Sequence, residues 1–132
     1  MINRNSLNPS EKIASFYTGT SAMHIASDRL YTFMQQMEME VFNIPLTKIQ
    51  YEHIIKYHNL NEVHVLNLSY ERIEEPVLFG QSLNSICFFD GRHRYVRRYR
   101  NGYKYIAAYI APEIIVMQFQ IDGLLPQDFY TL

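Results

Sequence analysis

From Asp90 the chain reads Asp-Gly-Arg-His-Arg-Tyr-Val-Arg-Arg-Tyr-Arg, and six of its 12 Lys+Arg residues fall between Arg92 and Lys104. Arginine forks match the oxygens of phosphate, and imidazole adds a further donor. An Asp-Gly step that feeds a helix presents free backbone N–H groups and the positive end of the helix dipole, where anions are favoured. Gly91 would let a ligand approach the backbone closely. Arg92, His93 and Arg94 then stand in the first turn, where cations oppose the dipole unless an anion sits among them or Asp90 pairs with one. Asp90, Gly91, Arg92, His93 and Arg94 are therefore the candidate phosphate or nucleotide site. A hydrogen-bonded histidine that holds the turn is the competing account of His93. Further along, Arg97, Arg98, Arg100 and Lys104 read as a solvated basic face, a candidate contact for nucleic acid; ordinary surface charge is the plainer account of it.

Other chemistry is sparse. His53 and His58 are five apart, a poor spacing for two metal ligands on one helical face, and His24 and His64 lack a carboxylate pattern, so no metal site is expected. Glu38, Glu40, Glu74 and Glu75 offer a general base or Mg²⁺ ligands, or simply solvated charge. No local Ser/His/Asp signature occurs. Cys87 is the one cysteine, which excludes an internal disulfide and suits a reducing compartment.

At 132 residues, with 48% hydrophobic and 19% charged, the chain reads as one globular domain. A net charge of -1 means that attraction to polyanions must be local. The first residues hold no apolar signal-peptide core and no run of 18 apolar residues occurs, so a cytoplasmic protein with no membrane segment is expected.

The elements that must position these residues follow from capping and periodicity. Asn8-Pro9 starts a short helix over 8–17. A longer helix runs from Thr20 or Ser21 to about Met39, with Met23, Ala26, Leu30, Phe33 and Met37 on one stripe. A strand over 41–46 precedes a helix capped by Thr47. Residues 63–73 and 75–79 are strand-like, 80–84 form a turn, and 85–89 form a buried, central strand that carries Cys87. The basic helix covers 93–100 and stops at Asn101-Gly102, with Val96 and Tyr99 facing the core and Tyr95 and Tyr103 part-buried. Residues 103–111 form a strand, 113–121 a strand or helix-to-strand tail, and 122–132 a surface tail. The class is α+β, a small mixed sheet with helices: an N-terminal helical segment over 1–40, then a core over 41–120.

Asp90-Gly91-x-His93-Arg94, the helix that stops at Gly102 and the strand Tyr-Lys-Tyr-Ile-Ala-Ala-Tyr-Ile together resemble the ParB/sulfiredoxin superfamily. The similarity is greatest to short ParB-like proteins of phages and plasmids, and it covers about residues 41–112. It implies a loop that binds the phosphates of ATP, ADP or CTP with Mg²⁺, where Gly91, His93 and Arg94 contact phosphate and Asp90 orients the turn. NTPase, kinase and nuclease activities occur in that superfamily. Two departures narrow it. Arg92 stands where sulfiredoxin has its reactive cysteine, and the residues after the matched region are too few for the DNA-reading domain of a partition clamp. Two other readings stand beside a nucleotide-binding protein. One is a non-enzymatic mobile-element protein that inhibits a host or defence protein, or pairs as a homodimer, through the helix holding Met23, Leu30, Phe33 and Met37. The other is a DNA-binding module that uses the basic helix face.

Overall fold

The computed structural model describes residues 1–18 and 21–122. In chain order the elements begin with β1 (Ile2–Asn3), a 3₁₀ turn (Arg4–Ser6), β2 (Ile13–Thr18), β3 (Ser21–Ala26), α1 (Ser27–Gln36), β4 (Val41–Pro45) and α2 (Lys48–Tyr57). Next come α3 (Glu62–Leu66), α4 (Tyr70–Glu74), β5 (Val77–Ser82), β6 (Ser85–Asp90) and α5 (Arg92–Arg100). The described chain ends with β7 (Tyr105–Ala111), α6 (Glu113–Gln118) and β8 (Ile121–Asp122). This is a small α+β fold, and its largest sheet has the strand order β4-β7-β5-β6. The contacts sort into two compact units: Met1–Glu38 with Gly80–Cys87 and the chain from Ala111 onward, and Met39–Phe79 with Phe88–Ile110.

In the first unit the expected helix over 8–17 is instead a turn followed by β2. Asn8-Pro9 closes the turn, with Glu11 N–H bonded to Asn8 O at 3.0 Å; proline in second position serves a turn as well as a helix start. The expected helix from residue 20 or 21 begins only at Ser27. Before it, β3 pairs antiparallel with β2, with Ser15 opposite His24 and Phe16 opposite Met23. Met23 is thus on a strand, not on the helical stripe. Ser27, Leu30 and Met34 form the buried face of α1, while Met37 at its C-cap is exposed. Phe33 is half-buried against Phe119, ring centroids 5.4 Å apart. Residues 19 and 20, and the expected tail from 123 onward, lie outside the described residues.

The second unit is built around Ile54, Val65, Val77, Tyr95, Val96, Ile106 and Ala108. Thr47 caps α2 by accepting from Gln50 N–H, and the Thr47 N–H in turn donates to Tyr95 Oη at 3.0 Å. Tyr95 is therefore a core residue at 1% exposure. Tyr99 is half-buried and Tyr103 exposed. The expected strand over 63–73 is two short helices. Asn61 Oδ1 accepts from His64 N–H at 3.1 Å and Ser69 Oγ from Arg72 N–H at 3.2 Å. These caps override the strand preference of Val63 and Val65. The basic helix stops as its sequence indicates: Gly102 has φ +81°, and the Gly102 and Tyr103 N–H groups bond to Tyr99 O and Arg98 O, a Schellman closure.

Strand β6 lies at an edge of its sheet, not in the centre. Ile86 is 61% exposed and Cys87 only partly buried. A short apolar run fits an edge strand as well as a central one, because long-range pairing decides between them. The turn Leu83-Asn84 has positive φ at both residues, 46° and 65°, the geometry of a two-residue hairpin.

Candidate anion site at the start of α5

The strand β6 delivers Asp90 and Gly91 to the first turn of α5. Gly91 has φ +106°, which favours glycine, but the space beside it is taken. A Cβ there would meet Val77 Cγ1 at 2.5 Å and Arg94 Nη2 at 2.9 Å. The glycine lets β5 pack close. It does not open the backbone to a ligand on that side.

Arg94 turns inward and is 5% exposed. Its guanidinium donates to Asp90 Oδ2 at 3.4 Å, Pro76 O at 3.2 Å and Glu75 Oε2 at 3.5 Å. It joins the start of β5 to the start of α5, so its expected orientation toward a ligand is corrected.

His93 accepts a hydrogen bond at Nε2 from Asn61 N–H at 3.2 Å. A backbone N–H can only donate, so this nitrogen carries the lone pair and the neutral ring carries its proton on Nδ1. The His64 ring meets it edge-on, centroids 4.8 Å apart.

Arg92 differs from both. Its Nη2 donates to Phe88 O at 2.9 Å and its guanidinium lies 5.5 Å from the Phe88 ring centroid. Its Nε is buried without a hydrogen-bond partner, as the Arg94 Nε is; what sets Arg92 apart is that no carboxylate lies within ion-pair distance, among the described residues. Burial lowers its proton affinity, and Asp90 partly offsets this. His58 is held below the ordinary imidazole value by burial first, then by the charges of Arg92 and His53; the His53 and His58 centroids are 6.0 Å apart. The fold thus couples His58 electrostatically to Arg92, with His53 beside His58. The sequence carried no signal for this, because 34 positions separate His58 from Arg92 and neither belongs to a shared pattern.

The arginines of the expected basic face have protein partners. Arg97 donates to the last carbonyls of α3, Val65 O at 2.8 Å and Leu66 O at 2.9 Å. Arg98 donates to Tyr105 O at 2.9 and 3.2 Å, pairs with Glu74 at 3.4 Å and lies over the Tyr103 ring. Arg100 forms a fork with Glu62 at 2.6 and 3.1 Å and donates to Tyr51 Oη at 3.0 Å. These bonds raise the Arg100 proton affinity and hold the Glu62 carboxyl below its usual value. By exposure alone, Arg100 and Lys104 match the expected solvated position, while Arg97 and Arg98 are half-buried.

Glu74 pairs with Arg98, and Glu75 with Arg72 and Arg94; Glu38 and Glu40 are exposed. No group of three His, Cys, Asp or Glu is placed to hold a metal ion among the described residues. The carboxylates nearest α5 are committed to arginines, so they do not assemble a Mg²⁺ ligand set. In the first unit a hollow of about 350 Å³ is lined by Asp28, Thr32, Phe33, Gln36 and Phe119 and by the ion pair of Glu11 with Arg29 at 2.7 Å.

No protein-family model matches the chain, and neither a curated protein nor a solved structure does. What the second unit offers chemically is an oxyanion contact: a desolvated guanidinium with an unmet donor, flanked by imidazoles at the start of a helix.

Proposed function

We propose that this chain binds a small oxyanion, inorganic phosphate or the phosphate of a nucleotide such as ATP, ADP or CTP, with Arg92 as the principal contact and His58 beside it. The observation that carries this reading is the Arg92 guanidinium, which is largely buried with Nε unpartnered and, among the described residues, no carboxylate within ion-pair distance, Asp90 offsetting its burial only in part. A buried cation without an ion-pair partner is costly, and an anion there would offset that cost. The resemblance of the Asp90–Arg94 motif points the same way. In this reading Arg94 positions the turn instead of touching the ligand. No chemical step is assigned. A cytoplasmic setting suits the lone cysteine, and no helix of the described residues is long and apolar enough to cross a membrane.

Calorimetric titration with sulfate, phosphate and nucleotides tests the reading, with Arg92→Gln as the variant and melting curves to confirm its fold. A charged hydrogen bond is worth about 1.5–3 kcal/mol, so the variant should bind at least about tenfold more weakly. Absence of binding by the wild-type protein at millimolar anion would overturn it.

A second reading is favoured by the filled space beside Gly91: a protein that acts by binding another protein, its phosphate cradle closed. Met37, at the end of the expected contact stripe, is exposed, and so are Val63, Leu66 and Tyr70. Failure of every anion in the titration would move this reading to first place. The DNA-binding reading has no observation in its favour, since Arg97, Arg98 and Arg100 each have protein partners.

A further inference from the structure

Helix α3 is fastened to α5 at three points, each by an α5 side chain. His93 accepts from the Asn61 N–H that opens α3, Arg100 holds Glu62 in its first turn, and Arg97 closes its last carbonyls. Two of these fasteners are guanidinium groups, which keep their charge across the accessible pH range. The third is an imidazole acting as an acceptor, a role that exists only while its Nε2 is unprotonated.

We infer that His93 is a pH-operated latch on the start of α3, closed when its ring is neutral and released when Nε2 takes a proton. The proton enters at the lone pair that now accepts the Asn61 N–H. Afterwards two N–H groups face each other, and the bond cannot survive. Asn61 is also the cap of α3, because its Oδ1 accepts from His64 N–H at 3.1 Å, so movement of Asn61 loosens the first turn.

The surrounding charges set the balance. On α3, Glu62 attracts a protonated His93, but that carboxylate is already held by two Arg100 bonds. The His64 ring stands edge-on to it, centroids 4.8 Å apart. On its own helix Arg92 precedes His93 and Arg97 stands one turn on; Asp90, before the helix, is paired with Arg94. At the end of α2, His58, whose proton affinity is lowered by burial and by the charge of Arg92, adds positive charge when it protonates. Free imidazole changes charge near pH 6.5, so the latch works between neutral and mildly acidic pH. The Arg97 and Arg100 fasteners persist, which confines the opening to the first turn of α3.

Amide exchange on the full chain at pH 7.5 and 5.5, expressed as protection factors to remove the intrinsic pH dependence, tests this. Protection at Asn61, His64 and Val65 should fall of order five- to tenfold in acid, the loss of one exposed hydrogen bond, while Ile106 and Ala108 of β7 stay protected. His93→Gln supplies an amide oxygen near the Nε2 position without a titrating group, so its α3 protection should not change between the two pH values. His64→Phe should keep the wild-type response. Equal wild-type protection at both pH values, an undiminished response in His93→Gln, or a response abolished by His64→Phe overturns the latch. If His93→Gln is open at both pH values, nitrogen NMR of the wild-type ring decides. A bare Nε2 at pH 7.5, gaining its proton in step with the loss of α3 protection, supports the latch, and any other order overturns it.

Discussion

Val77 of β5 fills the space beside Gly91, its Cγ1 lying 2.5 Å from where a Cβ on residue 91 would be. The contact explains why the strand-to-helix corner needs glycine, independently of any ligand. Gly91→Ala would add a side chain at φ +106°, costing about 1–2 kcal/mol, and overpack a buried valine, costing about 1–3 kcal/mol. Urea unfolding should show a combined loss of about 2–5 kcal/mol. In the double variant with Val77→Ala the losses should sum to less than their separate values, because the smaller residue relieves the clash. Simple additivity would show that the corner does not depend on this contact.

Arg94 gives a second prediction, at odds with a ligand-facing role. Arg94→Met removes one partner from each of Asp90 and Glu75 and a donor to Pro76 O. Loss of one member of a buried pair costs about 3–5 kcal/mol. The partial exposure of Glu75 reduces this to about 2–4 kcal/mol. The variant should melt well below wild type even with no anion in solution. A variant as stable as wild type, with anion binding abolished, would return Arg94 to the binding surface.

The parts of the fold that the sequence disclosed were those fixed by local chemistry. Thr47 capping α2, the Asn101-Gly102 stop of α5 and the apolar run of β7 each depend on neighbours a few residues away. Misreadings arose where distant partners decide. Ser21–Ala26 carries apolar residues at spacings that suit a helix, yet pairing with β2 makes it a strand. The run Ser85–Phe89 is apolar enough for a sheet centre, yet among the described residues β5 is its only neighbour in the sheet. At the candidate site the motif located the corner but not the roles. Side-chain direction separates the ion-paired Arg94 from the unpaired Arg92, and His58 comes near Arg92 only through the tertiary fold.

Cys87 tests the edge position of β6. Its thiol is partly buried, and that burial raises its pKa, so less of it is thiolate at neutral pH. A small disulfide reagent should modify it in the native protein, several-fold more slowly than in urea, with the rate rising as pH increases. Complete protection until global unfolding would place Cys87 in a sheet interior and contradict the strand order.

Acid stability should decline in two stages. Burial, and for His58 also the charges of Arg92 and His53, keeps the folded values of His58 and His24 below the ordinary 6.5. The unfolded chain therefore takes up protons first as pH falls through 6.5. Stability from the neutral rings is complete above that pH and is lost on descending toward the folded values. Glu11 and Glu62 follow at lower pH. Hydrogen bonds from Arg29 and Arg100 hold them below their ordinary 4.5, so their contribution is complete above pH 4.5 and lost as pH falls through the folded values. Urea midpoints should be level from pH 8 to 6.5, decline gently to 4.5 and fall more steeply below. His58→Gln should reduce the upper stage to the His24 contribution and leave the lower one intact; Glu11→Gln should reduce the lower stage to that of Glu62 and leave the upper one intact. An upper stage unchanged in His58→Gln would mean that the ring is not held neutral beside Arg92, and the electrostatic support for an anion at that corner would go with it.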